Sequence, residues 1–187
     1  RTGRSETLLA RVQPKAWQPA GGVALDWTSL NSSQTNFVFK GDETYYVIRL
    51  TYLYNATTIE GGTVVKYTNS ASLRFLGAVD CQTSAFRPAV FTSKDDDSLG
   101  QVIPGSTGNP GGTYATYAFQ FYLPPGPLDV HHVRVAYANY GMLFYGQTGH
   151  RVRHCQFVRC NTPIYTYSSS AQTLALQNVL FHRVGTQ

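Results

Sequence analysis

Charge is scarce in this chain. Of its 187 residues, 13% are Asp, Glu, Lys or Arg and 42% are hydrophobic. A disordered chain has the opposite balance, so this one can bury a core. No apolar run approaches the ~20 residues of a transmembrane helix, and no membrane span is expected. The formal charge of +5 comes mainly from scattered arginines. A nucleic-acid groove concentrates its basic residues in a stripe, so no nucleic-acid partner is expected. Cysteine occurs three times. Cys81, Cys155 and Cys160 lack the second pair that a zinc site requires, and Cys155 and Cys160 read as small buried hydrophobes. The chain also lacks an initiator methionine and a signal peptide. Its opening, Arg1-Thr2-Gly3-Arg4, implies a processed chain or a fragment.

What the chain does have is tyrosine, phenylalanine and a repeat. Thirteen Tyr and ten Phe suit β-structure. The stretch from Val130 to Val184 holds three copies of one pattern, 22 and 24 residues apart (152 − 130 and 176 − 152). Aligned, they give apolar columns Val130/Val152/Leu176, Val133/Cys155/Val179, Val135/Phe157/Phe181 and Ala138/Cys160/Val184, with Met142/Ile164 in the first two copies. A polar column, Asn139/Asn161/Gly185, tracks them. Each copy is two or three short β runs, too short to bury its own apolar face. It must stack on its neighbours, as in a solenoid. The apolar columns should then point inward. The Asn/Asn/Gly column should form a structural ladder at a sharp bend, since these residues most easily adopt the left-handed conformation.

Several stretches carry a resemblance. Cys155-Gln156-Phe157-Val158-Arg159-Cys160-Asn161 and the turn Asn139-Tyr140-Gly141 resemble coils of the right-handed parallel β-helix, or pectate-lyase-like, superfamily. The run Thr57 to Tyr67 and the stretch Arg87-Pro88-Ala89-Val90-Phe91-Thr92-Ser93 are similar to the opening coils and recurring strands of large secreted bacterial surface β-helix proteins. The resemblance covers roughly 37–184. It implies an all-β, right-handed parallel β-helix (β-solenoid) and an extracellular or cell-surface location. The architecture hosts lyases, hydrolases, adhesins and inert stalks, so it does not by itself assign an activity.

The expected organisation is an irregular N-terminal cap, linker or arm over 1–36, then the β-helix over 37–187, incomplete at its C-terminal end. Short β-branched and aromatic runs with Gly turns continue from Phe37 to Thr92. Residues 94–112 interrupt them with Asp95-Asp96-Asp97 and a series of Gly and Pro. A loop this long in a compact domain is functional or disordered, and it is expected to project from the β-helix.

The candidate chemistry is thin. Asp95, Asp96 and Asp97 are the one concentrated acidic feature. Hard cations take carboxylate and carbonyl oxygens, so a structural Ca²⁺ is the sole cofactor candidate, against a solvated acidic turn. The spacing is not that of an EF-hand. His132, His154 and Asn178 share one column and form a surface row, as groove-lining residues or as imidazoles facing a shared metal or ligand. His131, His150 and His182 have no visible partners. Glycoside hydrolysis needs two placed carboxylates, and Asp129 stands alone beside the repeats. Resemblance to lyases implies a basic residue near carboxylate-bound Ca²⁺. Arg134 and Arg153 qualify by type only, and no catalytic residue is assigned. Asn31 and Asn55 sit in glycosylation triplets.

The expected function is a non-enzymatic extracellular structural or adhesive β-helix module of a bacterial surface protein or assembly. Its partners would be other coils of a longer chain, or neighbouring copies stacked end to end into a filament. The competing reading is a carbohydrate-active (polysaccharide lyase or hydrolase-like) or carbohydrate-binding module, with exposed tyrosines stacking on a polysaccharide.

Overall fold

The computed structural model describes residues 27–168 and 170–185, and these contain strands and no helix. The strands are β1 (Thr28–Leu30), β2 (Gln34–Phe39), β3 (Thr44–Val47), β4 (Leu50–Glu60), β5 (Val64–Tyr67), β6 (Ser72–Phe75), β7 (Val79–Gln82) and β8 (Ala89–Ser93). After a long loop come β9 (Ala115–Tyr122), β10 (Asp129–His131), β11 (Val133–Ala136), β12 (Ala138–Tyr145) and β13 (His150–Arg153). The last four are β14 (Gln156–Val158), β15 (Thr162–Tyr167), β16 (Leu174–Gln177) and β17 (Leu180–His182). The expected cap or arm over 1–36 lies mostly outside the described residues. Where description begins, β1 already pairs with β3 and β2 with β4.

Three faces are built from these strands. The first sheet runs β1-β3-β5-β8-β11-β14-β17, the second β2-β4-β6-β9-β12-β15, and the third β10-β13-β16, with β7 paired to the second half of β4. The ladders are parallel. Parallel neighbours cannot be joined by a hairpin. Here the chain returns by way of the other faces of the coil, which gives a parallel β-solenoid of about seven turns.

The repeat columns coincide with the registers. Val130 pairs with Val152 and Val152 with Leu176; Val135 pairs with Phe157 and Phe157 with Phe181; Met142 pairs with Ile164. Val130, Val133, Val135, Ala138, Met142, Val152, Cys155, Phe157 and Cys160 are buried in one continuous core. Phenylalanine fills its centre. Phe119 lies 4.2 Å from Phe91 and 5.4 Å from Phe75 between ring centroids, and Phe121 lies 4.9 Å from Phe144. Such pairs add to burial by about 0.5–1.5 kcal/mol each. Burial raises the thiols of Cys155 and Cys160 to about 11 and that of Cys81 to about 12. They are free, and they pack as hydrophobes.

The bends are not where the polar column suggested. Asn139 and Asn161 are absent from the left-handed region. The positive φ values fall at His132 (48°), His154 (53°) and Asn178 (51°), between the third and first sheets. They recur at Tyr137 (57°), Arg159 (53°) and Arg183 (50°), between the first and second. Each of these two bends is therefore a single left-handed residue pinned by hydrogen-bonded strands on both sides, which override the intrinsic cost of about 1–2 kcal/mol. The asparagine column sits just past the second bend. There Asn161 Nδ2 donates to Asn139 Oδ1 at 2.9 Å, and Gly185 continues the column beside the Asn161 carbonyl. Close approach also decides one glycine in the early coils: a Cβ on Gly77 would stand 1.8 Å from the Asn55 carbonyl oxygen.

Candidate functional site

The loop between β8 and β9 does not project. It folds back over the outer face of the first sheet, because its polar residues find partners there. Lys66, fully buried on β5, donates from Nζ to the Asp96 carbonyl at 2.7 Å. Burial lowers the Lys66 pKa, opposed by the nearby Asp97 and Asp96 carboxylates. Thr92 Oγ1 donates to Asp96 Oδ2 at 2.8 Å, and the Gln101 amide donates to Thr44 Oγ1 at 3.0 Å. Ile103 is buried.

The three aspartates knit this loop together. Asp95 accepts from Tyr114 Oη at 2.6 Å, Lys94 Nζ at 2.8 Å and the Thr107 amide at 2.9 Å. Burial alone would raise its pKa, but these donors outweigh burial and bring it down to about 2. Asp96 also accepts from Ser98, and Asp97 accepts from Ser106 Oγ at 2.7 Å. The three side chains thus face separate donors, from the loop itself and from Thr92 and Tyr114 at its two ends. Among the described residues no group of three or more His, Cys, Asp or Glu is arranged to hold a metal ion.

A second cluster lies at the bend between the third and first sheets. The rings of His132 and His154 stack at 4.9 Å and 13°, as parallel coils demand of equivalent residues. Face-to-face stacking keeps their nitrogens side by side and does not converge them on one point. Asn178 Nδ2 extends the row, 2.8 Å from His154 Nδ1. His131 joins from the side, with its Nδ1 3.1 Å from His132 Nδ1. Thr83 Oγ1 donates to the His131 carbonyl at 2.6 Å and lies 3.3 Å from His131 Nδ1. The Nδ1···Nδ1 contact requires one ring to donate and the other to accept, so the two rings carry opposite Nδ1 protonation. Burial lowers the pKa of both rings. Arg153 adds to this at His131, and His154 and Arg153 add to it at His132; Asp129 and Asp80 oppose it at His131. His150 is instead a core residue. It accepts the Leu128 amide at Nδ1 and faces the Gln147 carbonyl through Nε2.

Outside the second sheet stands a tyrosine ladder. Tyr122 stacks on Tyr145 at 4.7 Å and Tyr145 on Tyr167 at 5.4 Å. Tyr117 stacks on Tyr140 at 4.9 Å. Arg74 lies 5.2 Å from both the Tyr52 and the Tyr122 ring centroids, closing the Tyr122 end of the ladder. Ring faces are largely spent on each other, and the more open positions are Tyr54, Tyr165 and Tyr167, 45%, 41% and 56% exposed. The signal was in the sequence, since these tyrosines recur at the same spacing as the apolar columns.

The remaining carboxylates are engaged too. Asp42 pairs with Arg87 at 2.6 Å and Asp129 with Arg153 at 2.9 Å. Glu43 accepts from Tyr45 Oη, Glu60 from the Gly41 amide, and Asp80 from Gln82. Arg153 lowers the Asp129 pKa through this hydrogen bond. Of the two arginines considered as bases, Arg153 is thus held in an ion pair and Arg134 stands in the open on β11. The chain matches no family model, no curated protein and no solved structure.

Proposed function

We propose that this chain is a non-enzymatic structural or adhesive module of a bacterial surface protein, a stiff spacer of the right-handed pectate-lyase-like kind. One observation carries the reading. Asp42, Glu43, Glu60, Asp80, Asp95, Asp96, Asp97 and Asp129, the eight carboxylates among the described residues, each have a donor or a cation of this chain as partner. Hydrolytic and lyase chemistry on sugars needs carboxylates free to act as acid, base or Ca²⁺ ligand. Here they brace turns and a loop. The resemblance of Thr57–Tyr67 and Arg87–Ser93 to secreted bacterial β-helix proteins supports the extracellular placement. The test is incubation with polygalacturonate and a panel of neutral polysaccharides, followed by assays for reducing ends and unsaturated products. No release is expected. Release that His132→Ala or Arg134→Ala abolishes would overturn the reading.

A carbohydrate-binding role is the second reading, and Tyr165 and Tyr167 favour it. With Tyr54 they are the exposed tyrosines of the second sheet. Co-sedimentation with insoluble polysaccharides tests it. Retention that Tyr165→Ala and Tyr167→Ala together eliminate would establish it, and retention indifferent to both would remove it.

A further inference from the structure

We propose that the trough between Phe86, Leu99 and the histidine bend is a docking site for an acidic, extended peptide segment of a partner protein. Two hollows, of about 290 and 460 Å³, share His132, His154 and Gln156 in their linings and so run together along the solenoid axis. Their floor is the outward row of the first sheet, where Val90 pairs with Arg134, Arg134 with Gln156 and Gln156 with Leu180. Leu99, from the folded-back loop, joins the lining. Four strands separated by three gaps of roughly 4.8 Å make a track about 14 Å long, enough for about four extended residues.

The rim carries an anchor. Phe86 is 97% exposed, and its neighbours Ala85 and Pro88 line the trough. Its turn is rigid. Ser84 and Arg87 exchange backbone hydrogen bonds at 3.1 and 3.2 Å, Thr83 is tied to His131, and Arg87 is tied to Asp42. A large ring held in place at the surface gains partner contacts with little further loss of freedom, which is how interface anchors act.

The charge of the partner follows from Arg134. Arg87 and Arg153 have carboxylates. Arg134 is exposed, and no carboxylate among the described residues pairs with it. A guanidinium in that state favours a carboxylate from outside, held through two parallel N–H···O bonds. Gln156, next to it on the adjacent coil and also without a side-chain partner among the described residues, offers an amide suited to a peptide group. The other polar groups of the trough are committed: His132 to His131, and His154 to Asn178. The imidazole faces are turned on each other. That leaves few donors for sugar hydroxyls among the described residues of the trough. Apolar contacts from Leu99, Val90 and Leu180 suit aliphatic side chains. These features favour a peptide over a polysaccharide.

Selection of a random eight-residue display library on the whole chain tests this. Enriched clones should be rich in Asp and Glu with interspersed aromatic or aliphatic residues. Synthetic versions should bind at least tenfold more weakly to Arg134→Glu and severalfold more weakly to Phe86→Ser. Both positions are exposed, and circular dichroism would verify that both variants fold. Absence of acidic enrichment, or clones that bind Arg134→Glu as tightly as the parent, would overturn the proposal. So would Arg134-dependent binding of polygalacturonate with no peptide enriched, which would give the trough to a polysaccharide. None of these outcomes touches the non-enzymatic reading, which is decided by product release.

Discussion

Replacing Asp95 by asparagine should loosen the loop that covers the first sheet. The carboxylate is nearly inaccessible, with its side chain 7% exposed, and it holds three donors from Lys94, Thr107 and Tyr114. Asparagine keeps the shape but turns an NH₂ group toward one of these donors. The size of the effect follows from the pKa, which drops from 3.8 to about 2. At about 1.4 kcal/mol per unit this is on the order of 2 kcal/mol. The group lies just beneath the surface and solvent screens it, so about 1–2 kcal/mol is expected. The sign is fixed by linkage. A depressed carboxylate stabilises the fold above its unfolded pKa near 3.8, and that contribution disappears as pH falls through about 2. Urea unfolding followed by far-ultraviolet circular dichroism should show Asp95→Asn less stable at pH 7. The two curves should converge as pH falls from 4 toward 2. Equal midpoints at pH 7, or a gap undiminished at pH 2, would refute the reasoning. Millimolar calcium chloride gives a further control. A midpoint that it raises in the parent but not in Asp95→Asn would assign the cluster to a cation after all.

Phe119→Ala should cost about 3–5 kcal/mol, because the ring is fully buried between Phe75, Phe91 and Phe121. Tyr145→Ala, on the outer ladder, should cost only about 1 kcal/mol; similar losses in chemical denaturation would mean that the outer ladder carries as much of the fold as the core. Gly77→Ala should destabilise by about 1–3 kcal/mol, since its Cβ would meet backbone at Asn55; an unchanged melting temperature would contradict the close approach. At the histidine bend the rings of His131 and His132 have pKa values lowered by burial. Their contribution is therefore complete above the unfolded value near 6.5 and is lost as pH falls below it. The melting temperature should drop between pH 7 and pH 5, a window in which Asp95 does not titrate, and the drop should shrink in the double variant His131→Gln/His132→Asn.

The interior of this solenoid was legible because burial acts on every coil in the same way. Val130 and Val152 face one core with the same period, so one alignment finds the inward column, and the registers follow from it. The bends were not legible from residue type. Left-handed propensity points to Asn139 and Asn161, yet His132, Tyr137, His154 and Arg159 occupy those conformations. A bend between two ladders is placed by where the ladders end, and a side chain of moderate preference is carried along. The loop was misjudged for a related reason. Glycine, proline and three aspartates describe a solvated excursion when read alone. What lays it down is a set of distant partners, Lys66 and Thr44 on earlier coils and Tyr114 beyond it, and separations of that size carry no local signature.

The same logic locates the interesting surface. A solenoid places equivalent side chains one coil apart, so any repeated polar or aromatic residue finds its own kind as a partner. Histidine stacks on histidine, tyrosine on tyrosine, and asparagine bonds to asparagine. Repetition therefore consumes functional groups and converts them into bracing. Positions where the repeat is broken bring unlike side chains together with their valences open. The row Val90, Arg134, Gln156 and Leu180 is such a position: four coils and four different chemistries. Two irregular segments border it, the loop with Leu99 and the turn with Phe86. A broken column bordered by the loop and the turn is what the proposed peptide site rests on.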